Sequence, residues 1–228
     1  MEHEFVRARR PEHKQQRREA ILQAARDLAT ARGVRAITLG DLADAVGLAK
    51  SNVVRYFGTR EEIFVELCSE EGLRLRDALR PRLADVTEQT LPGVLAGTLM
   101  EHELFCELLS QLTTHLEHNV SYPAAERLKV AMTNVMEELA RAVAGRPVGL
   151  DVEQATLLLS SASQIGAGLW SSSRPADVVL EVYAAHPELV PTGSVHSTLE
   201  RLVAALASGL RAERSVRGRG ASRHTVGA

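Results

Sequence analysis

The sequence predicts an all-α protein, and three observations support this class. Apolar residues recur at helical spacing along most of the 228-residue chain, with little sustained two-residue alternation. Glycine and proline lie at the boundaries between these segments. Hydrophobic residues make up 45% of the chain and charged residues 25%, which are globular averages and exclude wholesale disorder. Two cysteines cannot staple a chain of this length, so we expect a helical core held by packing.

Four helices are predicted in the first 80 residues. The first ends at Gly33, and the Thr38 hydroxyl caps the second, with Asp41 favouring its first turn. The fourth opens with a capping box at Thr59 and is stopped or kinked by Pro81. Their predicted ranges are 13–32, 38–47, 50–57 and 59–80.

Six more helical segments follow, one of them introduced by a capping signal at Asp151 and Gln154. Their predicted ranges are 92–101, 103–118, 122–144, 152–171, 176–185 and 195–212. The last residues have no apolar stripe and are expected to be disordered. We therefore expect a three-helix domain with a basic arm at 1–60, a helical domain at 61–212 and a basic tail at 213–228.

The net charge of −2 hides a regional asymmetry. Residues 1–60 hold 12 Lys and Arg against 7 Asp and Glu, a net charge of +5. Residues 61–210 hold 10 against 21, or −11, and residues 211–228 hold 5 against 1, or +4. A basic region in an otherwise acidic chain is expected where that region binds a polyanion. Without a membrane-length apolar run or a signal peptide, the chain is expected to be soluble, cytoplasmic and without a membrane partner.

The second and third predicted helices, joined by a turn that contains glycine, form a helix-turn-helix candidate. In such a unit the third helix lies in the DNA major groove and presents side chains to base edges. Val53 and Phe57 are four residues apart and share the face expected to be buried. The outward positions are then Lys50, Ser51, Val54 and Arg55. Spacing alone is equally compatible with an ordinary amphipathic helix whose polar face is solvated.

Four features follow one another in residues 17–67: a helix ending at Gly33, a helix opening with Thr38, Val-Gly-Leu-Ala at 46–49 and Val-Arg-Tyr-Phe-Gly-Thr-Arg at 54–60. Their order and spacing resemble the DNA-binding domain of TetR-family transcriptional regulators. The resemblance implies phosphate contacts at Thr38, Tyr56 and Arg60. It places the base-reading positions at Lys50, Ser51 and Val54, and a contact to the DNA backbone at Asn52. Lysine can donate to guanine acceptors and valine can touch a thymine methyl, so these residue types suit the implied roles.

Two positions depart from the family pattern. Ala49 replaces the usual hydroxyl at the start of the recognition helix, which weakens that cap by about 1 kcal/mol. Val54 replaces a frequent tyrosine, which changes the base expected there. The basic residues that precede or open the first helix can enter the minor groove or form only a solvated arm. They are Arg7, Arg9, Arg10, Lys14, Arg17 and Arg18.

The resemblance also implies C-terminal helices that dimerise and enclose a ligand cavity. Stripes rich in small and branched residues make the candidate dimer interface, with ordinary core packing as the alternative. These residues are Ala155, Leu159, Ala162, Ile165, Gly166, Leu169, Leu199, Leu202, Val203 and Leu206. Flexible apolar residues near a few polar ones make the candidate ligand pocket, with the same alternative. These residues are Met100, His102, Leu104, Phe105, Leu108, Met132, Met136, Gln164 and Trp170.

The implied function is that of a repressor which binds a palindromic double-stranded DNA operator as a homodimer and is released by a small-molecule effector. A helix-turn-helix regulator controlled by a protein partner or a metal is the alternative, and a helical metal-dependent enzyme is a weaker one. The stretch from His102 to Cys106 resembles the His-Glu-x-x-His zinc motif, with cysteine in place of the second histidine and no identifiable third ligand. Nucleotide-binding and nucleophile-elbow motifs are absent from the sequence. The chain is therefore expected to be neither an enzyme nor a cofactor or metal protein.

Overall fold

The computed structural model describes the backbone of residues 3–145 and 147–221 and the side chains of residues 12–145 and 147–213. In these ranges the chain forms ten α-helices and no β-strand, which confirms the all-α class. The helices are α1 (His3–Arg32), α2 (Leu39–Ala45), α3 (Lys50–Phe57), α4 (Arg60–Arg82), α5 (Leu91–Glu101), α6 (Glu103–Leu112), α7 (Tyr122–Val143), α8 (Val152–Ser172), α9 (Asp177–Ala185) and α10 (Val195–Ala221). Within the described residues, no helix is both long enough and apolar enough to cross a membrane.

Two helices begin with the capping boxes that the sequence predicts. At the start of α2 the Asp41 backbone N–H donates to Thr38 Oγ1 over 3.2 Å, and the Thr38 backbone N–H donates to Asp41 Oδ2 over 2.7 Å. Asp151 and Gln154 make the same reciprocal pair before α8, at 2.9 and 3.1 Å. Each box satisfies two backbone donors that a helix start would otherwise leave without a partner.

The helix ends differ from the sequence prediction where no apolar stripe marks them. Helix α1 begins at His3 rather than at residue 13, and α10 continues to Ala221, into the segment expected to be disordered. Each extension contains three arginines, which favour helix, and adding a turn to an existing helix avoids the cost of nucleation. The rest of the predicted tail, residues 222–228, lies outside the described residues.

Two further boundaries differ from the prediction. Helix α4 passes through Pro81 and ends one residue later. The segment predicted as one helix over 103–118 is α6, which ends at Leu112, followed by a 3-10 turn at Leu116–Asn119. Apolar residues continue at helical spacing past both positions, so this spacing does not reveal where each helix ends.

The chain divides into two compact units. The first comprises Met1–Gly72 and Glu107–Met132, and the second comprises Leu73–Cys106 and Thr133–Ala228. The helix-turn-helix therefore shares a unit with residues 107–132, which a division at residue 60 assigns to the other domain. The physical reason is hydrogen bonding at long sequence range. For example, the Val34 N–H donates to the Glu107 carboxylate over 2.6 Å.

Each unit buries its own apolar side chains. In the first, Ile21, Leu42, Val53 and Phe64 are buried and join α1 to α4 into one core. In the second, α10 packs against α5 and α8, and α5 also packs against α8. Burial of a large aliphatic or aromatic side chain stabilises a fold by about 1.5–3 kcal/mol, so these contacts hold the helices that carry the candidate sites.

Candidate nucleic-acid interface

The turn between α2 and α3 depends on Gly47. Its backbone has φ +65°, a left-handed conformation that costs other residues about 1–2 kcal/mol. The following Leu48 N–H donates to the Ala43 carbonyl over 2.9 Å, which closes the end of α2. This tight turn sets the direction in which α3 leaves α2.

Helix α3 has the two faces that the sequence predicts. Val53 and Phe57 are buried, whereas the opposite side is exposed, including 41% of Val54. The exposed residues are Lys50, Ser51, Val54 and Arg55. Ala49 makes no side-chain cap, so the helix begins only with backbone bonds from the Asn52 and Val53 N–H groups to the Ala49 carbonyl. An exposed edge with a lysine, a hydroxyl, an apolar patch and an arginine has the donors and methyl groups that read bases.

Gly40 brings Lys50 and Thr38 together. A Cβ atom on Gly40 would lie 2.8 Å from Lys50 Cε and 3.3 Å from Thr38 Oγ1. The absence of a side chain at residue 40 therefore leaves room for the lysine side chain. The sequence did not reveal this role of Gly40, because a glycine inside a short helix does not show which side chain packs over it.

The other predicted contact residues differ in exposure. Thr38 is exposed, while Tyr56 and Asn52 are half-buried.

Arg18 fastens α3 to its neighbours. Its guanidinium donates to the Tyr56 carbonyl and to the Glu66 carboxylate, and it lies 4.2 Å from the centre of the Phe57 ring. This arginine therefore positions the recognition helix, which differs from the arm role considered for it. Of the other arm residues, Lys14 and Arg17 are exposed. The side chains of Arg7, Arg9 and Arg10 lie outside the described residues.

Arg60 is also occupied within the protein. Its guanidinium donates to the backbone carbonyls of Ile37 and Val34, pairs with Glu61 over 3.1 Å and lies 4.6 Å from the centre of the Phe64 ring. The resemblance implied a phosphate contact at this position. In the structure the guanidinium ties the start of α4 to the segment before α2, so a phosphate contact would have to replace these partners.

The predicted pocket residues do not gather in one unit. Leu108 and Met132 belong to the first unit and the remaining seven to the second. Phe105 and Leu108 are fully buried, and Gln164 is exposed. The others are half-buried, and they are Met100, His102, Leu104, Met132, Met136 and Trp170.

The stretch that resembles a zinc motif has another explanation. His102 follows the last residue of α5, and its Nδ1 lies 2.9 Å from the Thr98 carbonyl oxygen. Burial raises the pKa of the Cys106 thiol to about 12, which disfavours the thiolate that metals bind. In the described part of the chain, no three His, Cys, Asp or Glu residues are grouped so that they could hold a metal ion.

The candidate dimer stripes are divided by burial. Six of their residues are already covered within one chain, because α8, α10 and α5 pack together, which favours for them the alternative of ordinary core packing. These six are Ala155, Leu159, Ala162, Gly166, Leu199 and Val203. Ile165 and Leu169 are half-buried, whereas Leu202 and Leu206 are 41% and 37% exposed. Leu157 on α8, which the stripe analysis missed, is 54% exposed.

Solved structures share this fold at low sequence identity. The fatty acid degradation regulator FadR from Bacillus halodurans is 14% identical, with a TM-score of 0.54 over 85% of this chain and 96% of that chain. FadR from Thermus thermophilus, a TetR-family transcriptional repressor in complex with lauroyl-CoA, is 17% identical, with a TM-score of 0.51 over 85% and 94%. The multidrug binding protein EbrR, complexed with imidazole, is 18% identical, with a TM-score of 0.53 over 83% and 94%. A search of curated proteins found no match.

Two family models match consecutive parts of the sequence. Residues 21–67 match the model described as bacterial regulatory proteins, tetR family. Residues 70–214, more than half of the chain, match the model described as tetracyclin repressor-like, C-terminal domain. Together with the helix-turn-helix at α2 and α3, these matches show that the chain belongs to the TetR family of transcriptional regulators.

Proposed function

We propose that this TetR-family regulator is a repressor that binds a palindromic operator as a homodimer and leaves it when a small molecule binds. The observation that carries the DNA-binding part is the two-faced α3 helix. Its buried Val53 and Phe57 fix it to the first unit, while Lys50, Ser51 and Val54 are exposed. A short helix held in this way presents side chains to the major groove at a fixed angle.

The homodimer is supported by apolar side chains that one chain leaves uncovered. Leu157, Leu202 and Leu206 lie on α8 and α10 and are 54%, 41% and 37% exposed. The two helices that carry them pack against each other, and contiguous exposed apolar side chains are typical of association surfaces. A two-fold dimer through α8 and α10 would present two copies of α3. It would therefore recognise half-sites about 34–36 Å apart, and a palindrome follows from that symmetry.

Release by a small molecule requires that the molecule binds the DNA-free conformation more tightly. A tenfold loss of operator affinity needs a difference of about 1.4 kcal/mol between the two conformations. The lauroyl-CoA complex of the Thermus thermophilus repressor and the imidazole complex of EbrR show that proteins of this fold bind small molecules. They support a ligand-responsive mechanism here without identifying the ligand.

The test is selection of DNA from a random double-stranded library with the purified protein, followed by binding measurements on the selected site. Lys50→Ala is expected to change the preferred base at one position, because lysine donates to guanine acceptors. Tyr56→Ala is expected to weaken binding to all sequences to a similar degree. The matched control is Lys129→Ala, an exposed lysine on α7 whose substitution should leave the selected sequence unchanged. No selected site, or the same site and affinity with Lys50→Ala, would refute the proposal.

A further inference from the structure

A cavity of about 450 Å³ lies within the second unit, between the end of α8, α9 and the start of α10. Its volume is in the range of small-molecule sites. Leu169 contributes from α8, Leu180 from α9 and Val195 from α10, and Val190 closes it from the connecting segment. The sequence did not predict this site, and its wall residue Leu169 was assigned instead to the candidate dimer interface.

The cavity is built around apolar side chains that the chain does not cover. Helix α9 contains no buried residue, and neither does the 3-10 turn at Pro187–Leu189. Leu180 and Val190, both in the wall, are 51% and 44% exposed. Each such side chain gains free energy when an apolar molecule displaces water from it.

The polar groups in the wall are hydroxyls. The Ser172 hydroxyl donates to the Gly168 carbonyl over 2.9 Å and the Ser173 hydroxyl to the Trp170 carbonyl over 2.7 Å. Their oxygen atoms can therefore accept a hydrogen bond from a ligand. Tyr183 and Thr198 add hydroxyls that can donate or accept.

Among the described residues, those that line the cavity carry no formal charge. Arg174, next in sequence to Ser173, pairs with Glu103 over 2.6 Å, and its guanidinium lies 4.2 Å from the centre of the Trp170 ring. This arginine therefore already has a carboxylate partner. A carboxylate or ammonium group in the cavity would lose water without gaining a counter-ion, which is costly.

We propose that this cavity is the effector site and that it takes a neutral, mainly apolar molecule with one hydroxyl or carbonyl group. The effector role of this site rests on the proposed regulatory function, whereas the binding of a molecule in the cavity does not. The end of α8 and the start of α10 help to form the cavity, and these two helices carry Leu157, Leu202 and Leu206. A bound molecule therefore acts directly on the helix pair of the proposed dimer.

The experiment uses three probes with the same carbon chain: 1-octanol, octanoate and octylammonium. Trp170 is the only tryptophan of the chain and is adjacent in sequence to Leu169, so its fluorescence reports binding. We expect a saturable fluorescence change with 1-octanol and at least about tenfold weaker binding of both charged probes. Equal or tighter binding of either charged probe would overturn the assigned ligand class.

Two exposed residues of α9 provide a matched pair of variants. Leu180→Ser removes a wall residue and is expected to weaken 1-octanol binding about fivefold. Val178→Ser removes an apolar residue that is 65% exposed and outside the wall, so binding should not change. Because both side chains are largely exposed, neither variant should unfold the chain. Equal 1-octanol affinity of both variants and the unaltered protein would overturn the site.

Three further outcomes test this proposal separately from the regulatory function. If the selected operator binds but 1-octanol does not, the site is wrong and the DNA-binding function stands. If 1-octanol binds the cavity and leaves operator affinity unchanged, the effector role is wrong. If Leu180→Ser instead weakens self-association and 1-octanol does not bind, a second copy occupies the cavity and the ligand site is refuted.

Discussion

Replacing Arg60 by alanine distinguishes a residue that holds the fold from one that touches DNA. In the structure the Arg60 guanidinium donates to two backbone carbonyls, those of Ile37 and Val34, and stacks on Phe64. Hydrogen bonds from a charged donor each contribute about 1.5–3 kcal/mol when the site is buried. The Arg60 side chain is 21% exposed, so we reduce the combined loss to about 2 kcal/mol.

The assay combines thermal unfolding with DNA binding across a range of salt concentrations. For a chain of this length, a loss of 2 kcal/mol lowers Tm by about 4–8 °C. Protein concentration must be the same in every melt, because association stabilises the folded chain. Since backbone carbonyls already accept the Arg60 hydrogen bonds, we expect Arg60→Ala to leave the dependence of affinity on salt nearly unchanged.

Arg55→Ala is the matched control. Arg55 is exposed on α3, and its loss should change the free energy of unfolding by no more than about 0.5 kcal/mol. If Arg55 contacts phosphate, the slope of log affinity against log salt should become shallower by about one. An unchanged Tm together with a shallower salt slope for Arg60→Ala would refute our assignment and restore the phosphate contact.

Two other predictions concern the helix-turn-helix. The hydrogen bonds from Thr38, followed by that from Arg32, lower the pKa of Asp41 to about 2. A lowered carboxyl pKa stabilises the fold at pH values above the ordinary pKa, and this stabilisation is lost as the pH falls towards 2. The free energy of unfolding, measured between pH 4 and 2, should therefore depend less on pH in Asp41→Asn than in the unaltered protein. An equal pH dependence in both proteins would contradict this. Gly47→Ala should lower the free energy of unfolding, measured in urea, by about 1–2 kcal/mol. The cause is the positive φ alone, because open space surrounds a Cβ atom at this position. Gly47→Asn should lower the free energy of unfolding less, because asparagine adopts this conformation more readily. Equal losses for the two variants would show that backbone conformation is not the cause.

The features that sequence predicted correctly are local. The bounds of α3, its buried Val53 and Phe57, and the capping box of Thr38 and Asp41 all involve residues three or four positions apart. Such spacing is fixed by helix geometry itself, so it can be read without knowledge of the rest of the fold.

The features that sequence missed depend on distant partners. Arg60 and the carbonyls of Ile37 and Val34 are separated by 23 and 26 residues, and Arg18 and the carbonyl of Tyr56 by 38. Any exposed arginine could serve as a DNA contact, and its sequence neighbours do not reveal that a carbonyl already accepts its hydrogen bonds. Positions carried over from a family therefore need the structure before a role is assigned.

Sequence did not separate candidate interface residues from core residues for a related reason. Periodicity identifies apolar stripes, but it does not say whether the same chain or another copy covers them. In α8, Leu158 and Leu159 are buried while Leu157 is 54% exposed, so one run of leucines spans a covered and an uncovered face. The exposed part of Leu157 gains no stabilisation from the folding of one chain. In the proposed dimer this part would be buried on association, so we expect the second copy to pack on the side of α8 that carries Leu157.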